Sequence, residues 1–212
     1  MSGPHERLSQ ADLFAPAPLL LADDEHGLIR YTPGFLAPGE AAACFDFLHA
    51  NAAWHGERRQ MYEREVDTPR LLASYLLDAT LPPLLAALHA RVEAAVQARF
   101  SHVGLNLYRD ERDSVAPHND HLSELQPGQP IALVSLGATR EMVIRQKLPP
   151  RRAWHLPLQA GSLLLMSYAT QLHYDHGIPK QGSAVGPRIS LAFRARSAAP
   201  ASRGRYARPA GD

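Results

Sequence analysis

The residues with the most chemistry per position are Ala116-Pro117-His118-Asn119-Asp120-His121, a little past the middle of the 212-residue chain. Two imidazoles and a carboxylate fall within four positions, after a Tyr-Arg-Asp-Glu-Arg-Asp run that has the makings of a turn. In an extended segment side chains alternate, so His118 and Asp120 share one face while Asn119 and His121 turn away. A neutral imidazole beside a carboxylate supplies two members of the facial triad that holds non-haem Fe(II), with one later histidine to complete it. A near-copy occurs downstream, because His173-Tyr174-Asp175-His176 repeats the His-x-Asp-His order. The two His-x-x-His pairs therefore also offer four nitrogens to a structural zinc. With 11 histidines in the chain, ordinary surface and turn histidines are a third reading.

Alternation weighs against the zinc, since it sends His121 to the face opposite His118, and zinc leaves Asp120 and Asp175 without a purpose. A second feature lies in Pro187-Arg188-Ile189-Ser190-Leu191-Ala192-Phe193-Arg194. In a strand Arg188 and Arg194 fall on the same side, among residues that otherwise favour burial. A buried guanidinium requires an anion, and a carboxylate bound through two parallel hydrogen bonds is its best match. A dicarboxylate cosubstrate beside an iron provides that anion. A solvated strand face is the rival reading of the arginine pair, and the His-x-Asp cluster tips the balance away from it.

These groups need a scaffold. Hydrophobic content of 45% and charged content of 20% suit one soluble domain with a substantial core. The net charge of +1 argues neither for nor against nucleic acid, because a basic face can hide within it. The single cysteine, Cys44, excludes an intramolecular disulfide and fits a reducing compartment. Leu19-Leu20-Leu21-Ala22 is too short for a membrane span or signal core. The expectation is a cytoplasmic monomer with no membrane association.

Residues 1–27 read as an N-terminal arm. Gly27–Thr32 reads as a first strand, and a helix starts near Glu40 with Phe45, Leu48 and Ala52 on one face. Trp54–Arg64 reads as an exposed loop or edge hairpin, and Thr68–Tyr75 as extended. After Pro82-Pro83, Leu84, Leu85, Leu88, Val92, Val96 and Phe100 recur at helical spacing. From residue 101 short apolar runs separated by Gly and Pro predict strands at 103–108, 130–137, 141–146, 154–158, 162–166, 173–178 and 188–194. The fold class is α+β: a double-stranded β-helix (jelly roll) core over 101–196 with two supporting N-terminal helices. Residues 28–100 form a helix-and-strand extension packed on that core, and 197–212 a disordered tail rich in Ala, Pro, Arg and Gly.

Across residues 69–196 the chain resembles the AlkB family of Fe(II)- and 2-oxoglutarate-dependent dioxygenases, in motifs that run in the family's order. Asn106-Leu107-Tyr108 resembles its Asn-x-Tyr strand, and His118-x-Asp120 its first two iron ligands. Glu124-Leu125, Pro127-Gly128 and Pro130-Ile131-Ala132 to Ser135-Leu136-Gly137-Ala138-Thr139-Arg140 resemble its next strand. Gly161-Ser162-Leu163-Leu164, His176-x-Ile178-Pro179 and Pro187-Arg188 to Phe193-Arg194 complete the series. The resemblance implies His176 rather than His173 as third ligand, because the family's histidine lies just before x-Ile/Val-Pro. It implies that Arg188 and Arg194 hold the two carboxylates of 2-oxoglutarate and that Asn106 and Tyr108 hydrogen-bond to it. Ser190 stands where the family usually carries Asn.

The implied cofactors are Fe(II), 2-oxoglutarate and O₂, and the implied reaction is hydroxylation of a C–H bond. An N-methyl group so hydroxylated collapses to formaldehyde and the demethylated base, which makes oxidative demethylation of alkylated nucleic-acid bases in DNA or RNA repair the leading function. The partner is then single- or double-stranded nucleic acid, held by the basic segments Arg58, Arg59, Arg64 and Arg145, Lys147, Arg151, Arg152. His121, Glu124, Tyr62 and Arg140 are the substrate-side residues, with Trp54 a further ring able to stack on an extruded base. Two departures keep other functions in view. His121 and Leu122 replace the acidic residues that repair members carry after the liganding Asp, and the stretch between Tyr75 and Pro82 is short. An AlkB-like oxygenase acting on a protein, a modified tRNA or a small molecule is one alternative. A zinc-binding module without oxygenase activity is the other.

Overall fold

Ile189, Leu191 and Phe193 are each 0% exposed and join one apolar cluster, whereas Arg188, Ser190, Ala192 and Arg194 between them face a cavity on the other side. Residues 103–108 repeat the division: Val103, Leu105 and Leu107 enter the cluster, and Asn106 and Tyr108 line the cavity. A strand can be buried on both faces only if helices cover one and a second sheet the other, and that is the architecture.

The structure is a computed structural model that describes residues 17–61, 64–78 and 80–197, with the backbone alone described for 57–61 and 64–67. The strands among the described residues are β1 (Leu19–Asp24), β2 (Gly27–Thr32), β3 (His55–Met61), β4 (Arg64–Leu76), β5 (His102–Tyr108), β6 (Val115–His118), β7 (Ile131–Gly137), β8 (Arg140–Gln146), β9 (Ala153–Leu158), β10 (Leu163–Met166), β11 (Tyr174–Ile178) and β12 (Arg188–Arg194). Helices are α1 (Pro38–Asn51), α2 (Pro83–Val96) and the single turn α3 (Thr170–His173). The larger sheet runs β1-β2-β10-β7-β12-β5-β4-β3 and the smaller one β6-β11-β8-β9. Ile29, Leu133, Leu164 and Met166 of the larger sheet meet Met142, Ile144, Leu156, Leu158 and Ile178 of the smaller, which gives the jelly roll expected from the strand spacing.

Helices α1 and α2 back the larger sheet through Cys44, Leu48, Leu85, Leu88 and Val92. The first starts at Pro38, where proline loses no hydrogen bond, and the Glu40 carboxylate accepts the Ala37 N–H at 2.9 Å. The second ends at Val96, a turn earlier than the helical spacing predicts, because Gln97 takes a left-handed φ of 52°. Phe100 still reaches the core, from the loop after α2, with its ring 6.0 Å from that of Phe193.

One boundary read from sequence is corrected. Residues 19–24 are no arm, since they form β1 and pair with β2 around a tight Glu25-His26 turn in which Asp24 Oδ1 accepts the His26 N–H. Residues 28–100, read as an extension packed on the core, are continuous with its larger sheet. Strand β2 pairs with β10 and β4 with β5, so this stretch supplies β2 inside the β1 edge and both β4 and the opposite edge β3 of the larger sheet. Those pairings join distant parts of the chain, which a local apolar pattern does not specify. Trp54–Arg64 contributes the edge strand β3, the hairpin alternative. The arm's first 16 residues and the tail from 198 lie outside the described residues. No helix among the described residues is long and apolar enough to cross a membrane.

Candidate metal centre

His118 ends β6 and lies directly opposite His176 of β11, with ring centroids 4.5 Å apart. The strands approach this closely because Gly177 comes directly after His176: a Cβ there would sit 2.9 Å from the Val115 carbonyl oxygen and 3.0 Å from the Pro117 nitrogen. The register shifts between His176 and Ile178. His118 Nδ1 lies 2.9 Å from the Ala116 carbonyl, which can only accept, so the proton sits on Nδ1 and Nε2 is left as a ligand.

Asp120 lies past the end of β6 and is pinned by other means. Its N–H donates to Gln171 Oε1 at 2.9 Å, and its carboxylate accepts from Arg194 Nε at 2.7 Å and Nη2 at 3.1 Å. One ligand-capable atom from each of His118, Asp120 and His176 lies within 4.8 Å of the others. Burial, then the neighbouring His118, pushes the His176 imidazolium down to about 3, so this ring is neutral at physiological pH. Burial works to raise the Asp120 carboxyl, but the Arg194 charge and hydrogen bonds outweigh it and hold the group below its ordinary 3.8. Two imidazole nitrogens and an ionised carboxylate on one side of a pocket are the donor set of a facial Fe(II) site, so the residues present fit that metal. His121 and His173 lie outside the trio. His173 instead packs its ring 4.6 Å from that of His26, which removes the four-histidine zinc arrangement.

The trio borders a cavity of about 840 Å³ between the two sheets. Arg188, 0% exposed, forms its floor. Its Nη2 donates to Ser135 Oγ at 2.9 Å, whereas Nε and Nη1 are buried with no partner. Burial pushes Arg188 down to about 10, so it remains cationic at neutral pH. A buried cation with two unmet N–H groups is costly by itself and is matched by a carboxylate, so the residues also fit 2-oxoglutarate. Ser190 lies between Asn106 and Ser135 in adjacent strands, and Arg188 lies opposite Tyr108, its guanidinium 5.3 Å from the ring centre. Burial raises the Tyr108 phenol despite the Arg188 charge, which keeps it a hydrogen-bond donor.

Several assignments shift. Arg194 faces the same cavity as Arg188, as alternation requires, but its guanidinium is bonded to Asp120 and not left for a second carboxylate. Arg140 is not a substrate residue. It is 0% exposed and donates to the carbonyls of Asp110, Asp113 and Pro179, clamping two loops to the base of β8. His121 and Glu124 are exposed on the cavity rim. Tyr62 lies outside the described residues. Trp54 is partly buried against the apolar cluster behind the larger sheet, with its indole N–H on the His49 carbonyl, and so does not face the cavity. Lys147 and Arg152 point into the protein's own contacts: Lys147 to Asn119 and Gln171, Arg152 to Asp24.

Two residues escape a reading from sequence. Arg70 of β4 lines the cavity and donates from Nε to Asn106 Oδ1 at 2.7 Å. Its signal is an arginine two positions after Thr68 on the same strand face. Gln171, 1% exposed, has none, because its bond to Asp120 spans 51 positions.

Residues 49–194 match a family model described as the 2OG-Fe(II) oxygenase superfamily. Human DNA oxidative demethylase ALKBH2 is 39% identical over 119 residues, covering 53% of this chain and 46% of that protein. Bovine alpha-ketoglutarate-dependent dioxygenase alkB homolog 3 is 32% identical over 185 residues, covering 76% and 64%. The chain spans about half the length of the first curated relatives it matches. Among solved structures, OsALKBH1 aligns with a TM-score of 0.57 at 14% identity, over 78% of this chain and 97% of that one. The non-heme alpha ketoglutarate dependent epimerase SnoN from nogalamycin biosynthesis aligns at 0.54 and 19%, over 79% and 77%. These two likenesses concern the fold.

Proposed function

The chain belongs to the AlkB family within the 2OG-Fe(II) oxygenase superfamily, and from that premise we propose that it removes alkyl groups oxidatively from nucleic-acid bases. The observation that carries the reading is the juxtaposition, across one cavity, of the His118-Asp120-His176 trio and the two unmet N–H groups of Arg188. In this reading His118, Asp120 and His176 hold Fe(II), and Arg188, Asn106, Tyr108 and Ser190 hold 2-oxoglutarate. When bound, these groups with O₂ supply the oxidation of an unactivated C–H bond.

The chain's own residues do the rest. Arg194 keeps the Asp120 carboxylate ionised and oriented, and the Ala116 carbonyl fixes the His118 tautomer. Leu133, Met142, Ile178 and Ala192 line the cavity with apolar surface, which limits water near the reacting carbon. His121 and Glu124 stand where an extruded base enters. Names of the curated relatives support the nucleic-acid substrate, since one set is called DNA oxidative demethylase. We assign phosphate contacts to Arg145 and Arg151, both exposed, and the working form to a monomer in the cytoplasm.

Anaerobic loading with Fe(II), and then addition of 2-oxoglutarate, O₂ and a methylated oligonucleotide, tests the reading. Succinate and formaldehyde should appear together and vanish in Asp120→Ala. Succinate without formaldehyde from any methylated oligonucleotide would remove the nucleic-acid substrate, and no succinate at all would remove the oxygenase.

A further inference from the structure

Lys147, the first residue after β8, is the cation that sequence marks for phosphate, but its ammonium is used elsewhere. Nζ donates to Asn119 Oδ1 at 2.9 Å and to the Gln171 carbonyl at 3.0 Å, and lies 4.0 Å from Asp175 Oδ1. Each partner adjoins a member of the trio. Asn119 sits between His118 and Asp120 and donates to the Asp120 carbonyl at 3.1 Å. Gln171 accepts the Asp120 N–H on its side-chain oxygen. Asp175 immediately precedes His176. The Lys147 backbone closes the same knot, with its N–H on the His173 carbonyl at 2.9 Å. Three segments are thereby joined at one point: residues 119–120 beyond the end of β6, the α3 turn and the start of β11.

This joint matters because of where Asp120 lies. Strand β6 has four residues and pairs on one edge only, so its ladder stops at His118 and cannot orient the two residues beyond it. Asp120 takes its direction from Gln171, Arg194 and the Asn119 amide, and Lys147 grips two of those three. An ammonium is a compact charge with three donors in different directions, which suits the joining of three segments better than a planar group does.

We propose that Lys147 is a positioning residue of the metal centre, holding Asp120 and His118 in binding geometry through Asn119 and Gln171. The inference rests on the iron reading of the trio and extends it to a residue outside the trio. Outer partners of metal ligands typically change metal affinity by about 10- to 100-fold when removed. Full-length metal-free protein titrated with Co(II) under argon, monitored by ligand-field absorption, measures that affinity directly. Lys147→Met should weaken Co(II) binding by roughly 10- to 100-fold, with the metal-free melting temperature and oligonucleotide affinity close to wild type. Lys147→Arg should restore part of the loss. Asn119→Ala, which removes one acceptor and leaves the lysine, should weaken Co(II) several-fold and add little on top of Lys147→Met; this variant decides the matter if Lys147→Met does not fold. Wild-type Co(II) affinity in Lys147→Met or Asn119→Ala overturns the proposal, as does a loss of oligonucleotide affinity with Co(II) binding intact, which returns Lys147 to phosphate contact. Absence of Co(II) binding in the wild-type protein overturns the iron reading, and this inference with it.

Discussion

The floor of the cavity and its rim are built differently. The floor comes from paired strands: Arg188 and Ser190 on β12, Asn106 and Tyr108 on β5 and His176 on β11, with Arg188, Ser190 and His176 no more than 6% exposed. The rim comes from connections, with His121, Glu124 and Arg196 exposed on segments that no ladder holds along their length. A strand inside a sheet fixes the direction of each side chain by register. A loop side chain is fixed only by the partners it finds. The floor therefore supports chemistry that demands fixed geometry, and the rim is where a substrate can be chosen or exchanged without disturbing it.

The comparison breaks first, and most visibly, at Arg188. Arg188→Met should raise the 2-oxoglutarate KM on the order of 100-fold, the cost of about 3 kcal/mol for truncating one partner of a buried charge pair. The metal-free protein should melt no lower than wild type, because the variant removes a buried cation with two unbonded N–H groups. An unchanged KM would detach the floor from cosubstrate binding. The opposite signs of the two effects distinguish a binding group from a packing group.

His176 sharpens the comparison through pH. In the metal-free protein its folded value of about 3 lies below its ordinary 6.5. Above 6.5 both states are neutral and the group contributes no slope. As pH falls from 6.5 toward 3, the unfolded chain takes up a proton that the folded chain refuses, so stability declines, by up to a few kcal/mol over the window. Asp120, held below 3.8, adds to the decline only at the acid end. Urea melts between pH 7 and 4 should show this slope in wild type and a shallower one in His176→Asn. Equal slopes would mean that burial does not hold the His176 ring neutral.

Gly177 tests whether backbone alone sets the separation of the ligands. In Gly177→Ala the new methyl would meet the Val115 and Pro117 backbone at 2.9 to 3.1 Å, and backbone cannot swing aside as a flexible side chain can. Strand β6 must move away from β11, at a cost of about 1–3 kcal/mol, and carry His118 from His176. Co(II) affinity should fall while 2-oxoglutarate binding, on the other sheet, holds. Loss of both would mean that the two sheets move as one body.

Legibility in the sequence divides along the same line. Alternation places Arg188 and Arg194 on one face of β12, because a strand's period survives in sequence, but it does not carry Asp120 to His118: the extended segment read there stops at His118, and Gln171 and Arg194 bring the carboxylate in. Choosing His176 over His173 needs the family pattern, since both stand in a His-x-x-His spacing. Arg140 reads wrongly as a substrate residue: its parity on β8 is visible, but the carbonyls of Asp110, Asp113 and Pro179 that claim it are not. Lys147 misleads for the same reason, its partner Asn119 lying 28 positions away. Charged residues whose partners are backbone or distant amides look, in sequence, like free surface charge.

The smallest effect concerns the exposed surface outside the cavity. Arg145 and Arg151 are exposed, and removing one phosphate-binding arginine should reduce the slope of log affinity against log salt by about 0.7 to 0.9. Arg145→Gln and Arg151→Gln, alone and together, should therefore lower oligonucleotide affinity and flatten its salt dependence stepwise, as measured by anisotropy from about 50 to 200 mM salt. Neither should change the 2-oxoglutarate KM or Co(II) affinity, because both side chains project to solvent, away from the floor. A slope that stays at the wild-type value would move the phosphate track to another face of the molecule. A change in cosubstrate KM would show that this outer surface and the floor are coupled, and the independence that lets nucleic-acid contacts vary over a constant metal centre would be lost.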